Sequence, residues 1–305
     1  MQARKSYPWA LVMTQPDALP GSYLNRGKTL EEIRREVHAE VDMVARMGFD
    51  GVILQNMHDG PAGQTARPET IGFMTRLACD IRRDFPELIL GILVNWDGLA
   101  SLAVAEASGA DFVRVEHLYT GVSVANVGFM TGQCAEICDM RKRLNSAVPV
   151  YADAQEVNST YVAPKPKVDA AVDVVRGAFA DGLFVSGTNT QESLEYVQKI
   201  KQRMPGVPVF LGGGATGENV RELMCYYDGV SVATWIKNGN MRNPIDPERA
   251  RFFLAEIEEA RKLRQRDEKG KRYDRDHSGG PRKFRNRNAQ FFGIALRYAG
   301  VLQSD

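Results

Sequence analysis

Gly109-Ala110-Asp111-Phe112-Val113-Arg114-Val115-Glu116-His117 carries the pattern from which the fold is read. A Gly/Asp turn leads out of a helical stretch, a short run dominated by apolar residues follows, and polar residues close it. Phe49-Asp50-Gly51, Asp181-Gly182 and Asp228-Gly229 repeat the same turn before further apolar runs. The strand-like runs are Ala10–Met13, Gly51–Leu54, Ile89–Val94, Phe112–Val115, Val148–Ala152, Leu183–Val185, Val207–Leu211 and Val230–Ala233. Each is brief, mostly aliphatic or β-branched, and lacks polar alternation, as expected of strands covered on both faces in a parallel sheet.

Helical patterns fill the gaps. Thr29 and Glu32 spell a capping box ahead of Ile33, Val37, Val41 and Val44 at helical spacing. Pro68 opens a second helix with Ile71, Met74, Leu77 and Ile81 as its stripe, and others fall near 98–108, 131–144, 167–180, 191–204, 217–226 and 247–263. Eight strands alternating with eight helices predict an α/β fold, a (β/α)8 TIM barrel over residues 1–263. A doubly wound open sheet is the competitor, because strand order cannot be read from periodicity. From Lys262 to Asn288 the texture becomes basic and reads as a solvated linker, and the apolar spacing over 289–302 predicts a short terminal helix. Residues 264–305 are thus expected to form a basic C-terminal extension.

The 305 residues are 44% hydrophobic and 25% charged, a composition that excludes disorder as the main state. No stretch approaches the roughly 20 apolar residues that span a bilayer, the first residues lack a signal-peptide core, and four cysteines make no disulfide scaffold, so a cytoplasmic protein is expected. The net charge of +1 hides an asymmetry. Residues 261–305 hold 13 Lys and Arg against 5 Asp and Glu, a balance of +8, which leaves −7 for the rest. With little aromatic interleaving (Tyr273, Phe284), this tail reads as a solvated face rather than a nucleic-acid contact. A homo-oligomer is expected from the fold class, with no membrane partner.

Catalytic groups of such a barrel belong at the C-terminal ends of its strands. Those ends carry two chemistries. Strands two to five finish in Gln55-Asn56-Met57-His58-Asp59, Asn95-Trp96-Asp97, Glu116-His117-Leu118-Tyr119 and Asp153-Ala154-Gln155-Glu156. Asp153 is the expected general acid/base, with Glu116 or Asp59 as its counterpart, His117 as a further candidate, and Asn56, Asn95 and Tyr119 orienting hydroxyls. Strands six to eight finish in Ser186-Gly187-Thr188, Gly212-Gly213-Gly214-Ala215-Thr216-Gly217 and Thr234-Trp235-Ile236-Lys237. Small residues let backbone N–H groups converge on an anion, so a small phosphorylated ligand is expected there, with Lys237 assisting. The bland reading of the same glycines is a set of tight turns. Gly212-x-Gly214-x-x-Gly217 also matches a dinucleotide fingerprint, but the next strand ends in Val232-Ala233-Thr234 without the acidic residue that reading needs. Cys134 and Cys138 share a helix face without partners, so no resident metal or other cofactor is identified, although rim carboxylates could hold Mg2+ together with a substrate phosphate.

Several stretches resemble the BtpA family: Leu19-Pro20-Gly21-Ser22, Gln55-Asn56-x-x-Asp59, Ala107–Val115, Tyr119-Thr120-Gly121, Gly128–Gly132, Tyr151-Ala152-Asp153, Val185–Thr188 and Gly213–Asn219. The resemblance covers roughly residues 8–263. It implies a ribulose-phosphate-binding TIM barrel with a phosphorylated sugar or nucleotide-like ligand; the family includes SgcQ-like proteins encoded among sugar-utilisation genes and a namesake tied to photosystem I biogenesis. Gln55-Asn56 stands where members often have Glu-Asn, and Gln155–Asn158 where they often have a Lys-His pair. The expected function is an enzyme acting on a phosphorylated sugar or nucleoside-type substrate, by nucleosidase-like glycosidic cleavage or by isomerase/epimerase proton transfer. The alternative is a non-catalytic assembly or stability factor.

Overall fold

The computed structural model describes residues 6–119, 122–125 and 128–277. Eight parallel strands close into a barrel: β1 (Trp9–Thr14), β2 (Gly51–Gln55), β3 (Ile89–Leu93), β4 (Phe112–Val115), β7 (Val150–Asp153), β9 (Gly182–Phe184), β10 (Val209–Leu211) and β11 (Gly229–Val232). They pair in that order around the ring, and β11 returns to β1 through Trp9↔Gly229 and Val12↔Val232. The open sheet is excluded. Helices α1 (Leu30–Met47), α2 (Pro68–Asp84), α3 (Gly98–Ser108), α4 (Cys134–Leu144), α5 (Lys167–Arg176), α6 (Thr190–Arg203), α7 (Val220–Met224) and α8 (Pro247–His277) alternate with them. Thr29 caps α1 through the reciprocal bonds to Glu32 that its sequence spells.

Strand side chains alternate in direction, so each barrel strand feeds two cores. Val12, Val52, Leu54, Val113, Val115 and Ala152 face the helices and join the larger apolar cluster. Trp9, Leu11, Ile53, Phe112, Tyr151, Phe184 and Phe210 face inward and form a second one. That inner floor is aromatic: Phe112 stacks on Tyr151 with ring centroids 5.1 Å apart, and Tyr151 on Phe210 at 5.1 Å. Gly91 on β3 makes room for it, since a Cβ there would lie 2.4 Å from Phe112. The same parity carries Arg114 and Glu116 upward behind Phe112, and Asp153 behind Tyr151.

Two features depart from the sequence reading. A three-stranded antiparallel sheet, absent from that reading, grows from the loops beyond β4 and β7: β5 (Ser123–Ala125) pairs with β6 (Gly128–Met130) and with β8 (Thr160–Tyr161). The basic stretch that reads as a linker from Lys262 instead continues α8 to His277. The helix expected over 289–302 lies outside the described residues. Residues up to Arg264 form one compact unit, and Gln265 onward is assigned to a second. Among the described residues no helix is long and apolar enough to cross a membrane.

Candidate active site at the barrel mouth

The ends of β1, β2, β4, β10 and β11 open into a cavity of about 510 Å³, large enough for a sugar phosphate or a nucleotide. Glu116, Arg114 and Glu156 line one side of it; Gly212, Gly213, Gly214, Thr216 and Thr234 line the other, together with Arg249 from the first turn of α8.

Glu116 is buried, and its Oε2 accepts a hydrogen bond from the Trp96 N–H at 2.9 Å. Trp96 holds a left-handed backbone (φ 64°), a conformation that bulky residues adopt only where surrounding structure enforces it. Burial, with Asp153 and Glu156 adding to it, pushes the Glu116 carboxyl up to about 8 against the opposing pull of Arg114 and the Trp96 N–H. At neutral pH this side chain is a neutral acid. Burial also raises the Glu156 carboxyl, which accepts from the Asn158 N–H at 2.7 Å and the Ser159 hydroxyl at 3.1 Å.

Asp153, the expected general acid/base, is held in a bidentate fork. Arg114 Nε donates to its Oδ2 at 2.9 Å and Nη2 to its Oδ1 at 2.8 Å, both side chains being buried. The guanidinium also lies over the Phe184 ring, 4.4 Å from its centroid. A carboxylate clamped this way positions and balances charge; it is poorly placed to exchange protons. Arg114 escapes a reading of the sequence because it lies inside an apolar run. Its parity with Phe112 and Glu116 is the signal that could have found it.

Asp153 itself falls outside the cavity lining, as do the other carboxylate and histidine candidates, Asp59 and His117. Asp59 Oδ1 accepts from the Leu19 N–H at 2.7 Å and Oδ2 from Asn56 Nδ2 at 3.0 Å, so it ties two loops together. Asn56 Oδ1 accepts from the Asn95 N–H at 2.8 Å, and Asn95 Oδ1 from Gln55 Nε2 at 2.7 Å. These amides buttress the mouth through Gln55, which lines it. His117 lies between the Trp96 and Tyr161 rings, and its Nε2 bonds Ser123 Oγ at 2.5 Å and Ser159 Oγ at 3.2 Å. Burial drives its pKa down to about 4, so it is a neutral strut under the small sheet. Tyr119 is 43% exposed and lies against Gly177.

The expected phosphate cradle divides in two. Beyond β9, the Gly187 N–H donates to Ser193 Oγ at 2.9 Å, while the Thr188 N–H and hydroxyl both donate to Glu192 Oε2, at 2.5 and 2.7 Å. Tyr196 and Thr188 together draw the Glu192 carboxyl down to about 2. The chain's own carboxylate already occupies this anion position, and Ser186 gives its carbonyl to Lys167 Nζ at 2.7 Å. Beyond β10, by contrast, the N–H groups of Gly213, Gly214 and Ala215 meet no acceptor among the described residues. Gly214 turns at φ 77°, and Thr216 anchors the loop by donating its N–H to Asn219 Oδ1 at 2.8 Å. Arg249, not singled out in the sequence, donates to the Trp235 carbonyl at 2.9 Å and stacks on that ring. Lys237 is not part of this rim. A 3-10 turn (Trp235–Lys237) buries it, and its Nζ donates to Glu40 on α1 at 2.8 Å.

Among the described residues no group of three or more His, Cys, Asp or Glu is arranged to hold a metal ion. The mouth therefore offers one neutral acid, one clamped ion pair, and a backbone loop suited to an anion beside an arginine.

The BtpA family profile matches residues 10–259. An uncharacterized protein of Thermococcus kodakarensis is 35% identical over 251 residues, 81% of this chain and 93% of its own length. The photosystem I biogenesis protein BtpA of Synechocystis sp. is 31% identical over 241 residues, 77% of this chain and 83% of its own. Among solved structures, 3-hexulose-6-phosphate synthase from Salmonella typhimurium superposes with a TM-score of 0.51 at 16% identity, covering 83% of this chain and all of that one, a likeness of fold. With its barrel, its loop motifs and this match in agreement, the chain belongs to the BtpA family.

Proposed function

We propose that this protein is an enzyme that acts on a phosphorylated sugar or nucleoside-type substrate by donating a proton from Glu116. The observation that carries this reading is the presence, in one cavity, of a buried carboxyl raised to about 8 and the open Gly213–Ala215 loop with Arg249 beside it. The loop N–H groups and Arg249 would take the phosphate, as backbone nests and guanidinium groups do. The solved hexulose-phosphate synthase shares the fold; fold likeness adds nothing about the reaction.

The raised Glu116 carboxyl favours one of the two candidate chemistries. A group that is protonated at neutral pH can give a proton to a leaving group; it cannot take one from carbon. Glycosidic cleavage therefore ranks ahead of isomerase or epimerase chemistry. In that reaction the Glu116 proton passes to the departing base or alcohol as the bond to C1 breaks. Water then adds at C1 and returns a proton to the Glu116 carboxylate, so the acid is regenerated, while Arg114 keeps the Asp153 carboxylate behind the mouth. The experiment monitors release of base from ribonucleoside monophosphates by chromatography. Turnover should fall as pH rises through about 8, and Glu116→Gln should lose roughly 100- to 10,000-fold. Full turnover in Glu116→Gln would end this assignment.

A second reading, a non-catalytic assembly factor, is supported by similarity to the Synechocystis biogenesis protein. It differs in outcome: Glu116→Gln would then leave the cellular role of the protein intact.

A further inference from the structure

The mouth has an apolar side that neither the proton donor nor the phosphate loop uses. Around the ring of strands, β3 stands opposite β10 and β4 opposite β11. Trp96, which follows β3, therefore lies across the cavity from the Gly213–Ala215 loop, and Glu116, which follows β4, lies across from Thr234. Met57 beyond β2 and Val157 beyond β7 stand to either side of them, and Trp96, Met57 and Val157 all line the cavity.

Contacts tie these residues into one wall. The Met57 sulfur takes Asn95 Nδ2 at 3.4 Å, and Asn95 precedes Trp96, whose N–H is donated to Glu116. The Trp96 ring lies 5.7 Å from that of His117, and the His117 ring 6.2 Å from that of Tyr161, between centroids. The Tyr161 hydroxyl in turn accepts the N–H of Glu156, the neighbour of Val157. Val157 is 64% exposed and Met57 half-buried. Apolar surface left open beside a buried acid marks a place for an apolar part of a ligand.

The amides around this wall are already spent. Gln55 gives Nε2 to Asn95 and takes Gln15 Nε2 on its Oε1, and Asn158 gives Nδ2 to Glu156 Oε1 at 2.8 Å. A leaving group rich in hydroxyls would give up its hydrogen bonds to water here without replacement. A flat heteroaromatic ring would not, because its faces are apolar and thioether and indole groups pack well against them.

We propose that this wall is a base subsite and that the mouth takes a nucleoside 5′-monophosphate. The base lies against Trp96, Met57 and Val157, while the phosphate meets the Gly213–Ala215 loop on the far side of the ring. This rests on the phosphate-binding mouth proposed above and narrows it: the departing group is a base, not an alcohol.

The probes are adenosine and uridine 5′-monophosphates, compared with ribose 5-phosphate by calorimetry on the full chain. At least one nucleotide should bind about tenfold or more tighter than ribose 5-phosphate, as stacking of a base on apolar side chains provides. Val157→Ser and Met57→Gln should each cut that advantage about threefold or more while ribose 5-phosphate binds them as it binds wild type. In protein carrying 13C-methyl methionine, the bound nucleotide should shift the Met57 resonance, assigned by its loss in Met57→Gln, through the ring current of the base; ribose 5-phosphate should not. Nucleotides that bind no tighter than ribose 5-phosphate, a Met57 methyl unmoved by a bound nucleotide, or variants that weaken both ligands equally would overturn the base subsite and leave the phosphate-binding mouth standing. No binding of ribose 5-phosphate or of either nucleotide would overturn both.

Discussion

The rim beyond β9 and the rim beyond β10 carry nearly the same residue types, Ser186-Gly187-Thr188 against Gly212-Gly213-Gly214-Ala215-Thr216, yet the Gly187 and Thr188 N–H groups are taken within the first, whereas those of Gly213, Gly214 and Ala215 in the second meet no acceptor among the described residues. The difference lies in the residues downstream of each rim. Four residues after Thr188, Glu192 folds back and takes its N–H and hydroxyl, while Ser193 takes the N–H of Gly187. Beyond β10, Asn219 anchors the loop, taking the Thr216 N–H and donating its Nδ2 to the Gly214 carbonyl, and the N–H groups of Gly213, Gly214 and Ala215 meet no acceptor among the described residues. Small residues make an anion site geometrically feasible; an internal carboxylate decides whether that site is already filled.

The largest effect is expected from removing the support that both rims share. The Arg114 guanidinium lies under Gly212, whose Cβ position is 3.0 Å from Nη2, and over Phe184 beneath the β9 rim. Arg114→Met should leave Asp153 buried without its partner and lower unfolding free energy by about 3–5 kcal/mol in urea denaturation. A melt equal to wild type would show that the pair contributes nothing to the floor.

Glycine substitutions sharpen the contrast. A Cβ on Gly187 would lie 2.6 Å from Ser193 N and 2.7 Å from Glu192 Cβ, so Gly187→Ala should destabilise by about 1–3 kcal/mol. A Cβ on Gly213 meets only Ser186 Oγ at 4.0 Å. Gly213→Ala should therefore melt like wild type while weakening the binding of a phosphorylated ligand, measured by calorimetry. Equal behaviour of the two variants would erase the distinction between the rims.

The two anion-related charges should also separate in binding assays. Arg249→Ala should weaken ribose 5-phosphate about tenfold, and Glu192→Gln, on the closed rim, should change affinity far less. The reverse order would reassign the phosphate to β9.

A smaller effect appears in stability against pH. Glu116 has an ordinary value of 4.5 when unfolded and about 8 in the fold. Between those values the unfolded chain binds fewer protons than the native one, so Glu116 costs stability progressively as pH rises from about 4.5 to 8 and the cost levels off above. His117 acts at the other end: with its pKa moved from 6.5 to about 4, stability is lost as pH falls through that interval. Denaturation midpoints of Glu116→Gln across this range should fall less steeply with rising pH than those of wild type.

Much of the barrel was legible because burial on two faces writes itself as short apolar runs, and turns such as Gly109-Ala110-Asp111 mark their starts. The small sheet was not, since strands of two and three residues depend on loops brought together by the barrel rather than on local pattern. At the site, Glu116 and the Gly212–Gly214 loop were legible from their place after a strand. The clamp on Asp153 could have been read from the inward parity of Phe112 and Arg114, and the closure of the β9 rim from Thr188-Asn189-x-x-Glu192, in which Asn189 caps α6 through the Glu192 N–H and the Glu192 carboxylate turns back to Thr188. Lys237 could not, because its turn toward Glu40 across 197 residues is set by tertiary packing alone.

The most direct test is a crystal structure of the full chain with ribose 5-phosphate. The phosphate should lie within hydrogen-bond distance of the Gly213 and Gly214 N–H groups and the Arg249 guanidinium, with the sugar toward Glu116. A phosphate bound at Gly187 and Thr188 with Glu192 displaced, or a ligand bound away from this mouth altogether, would contradict the account.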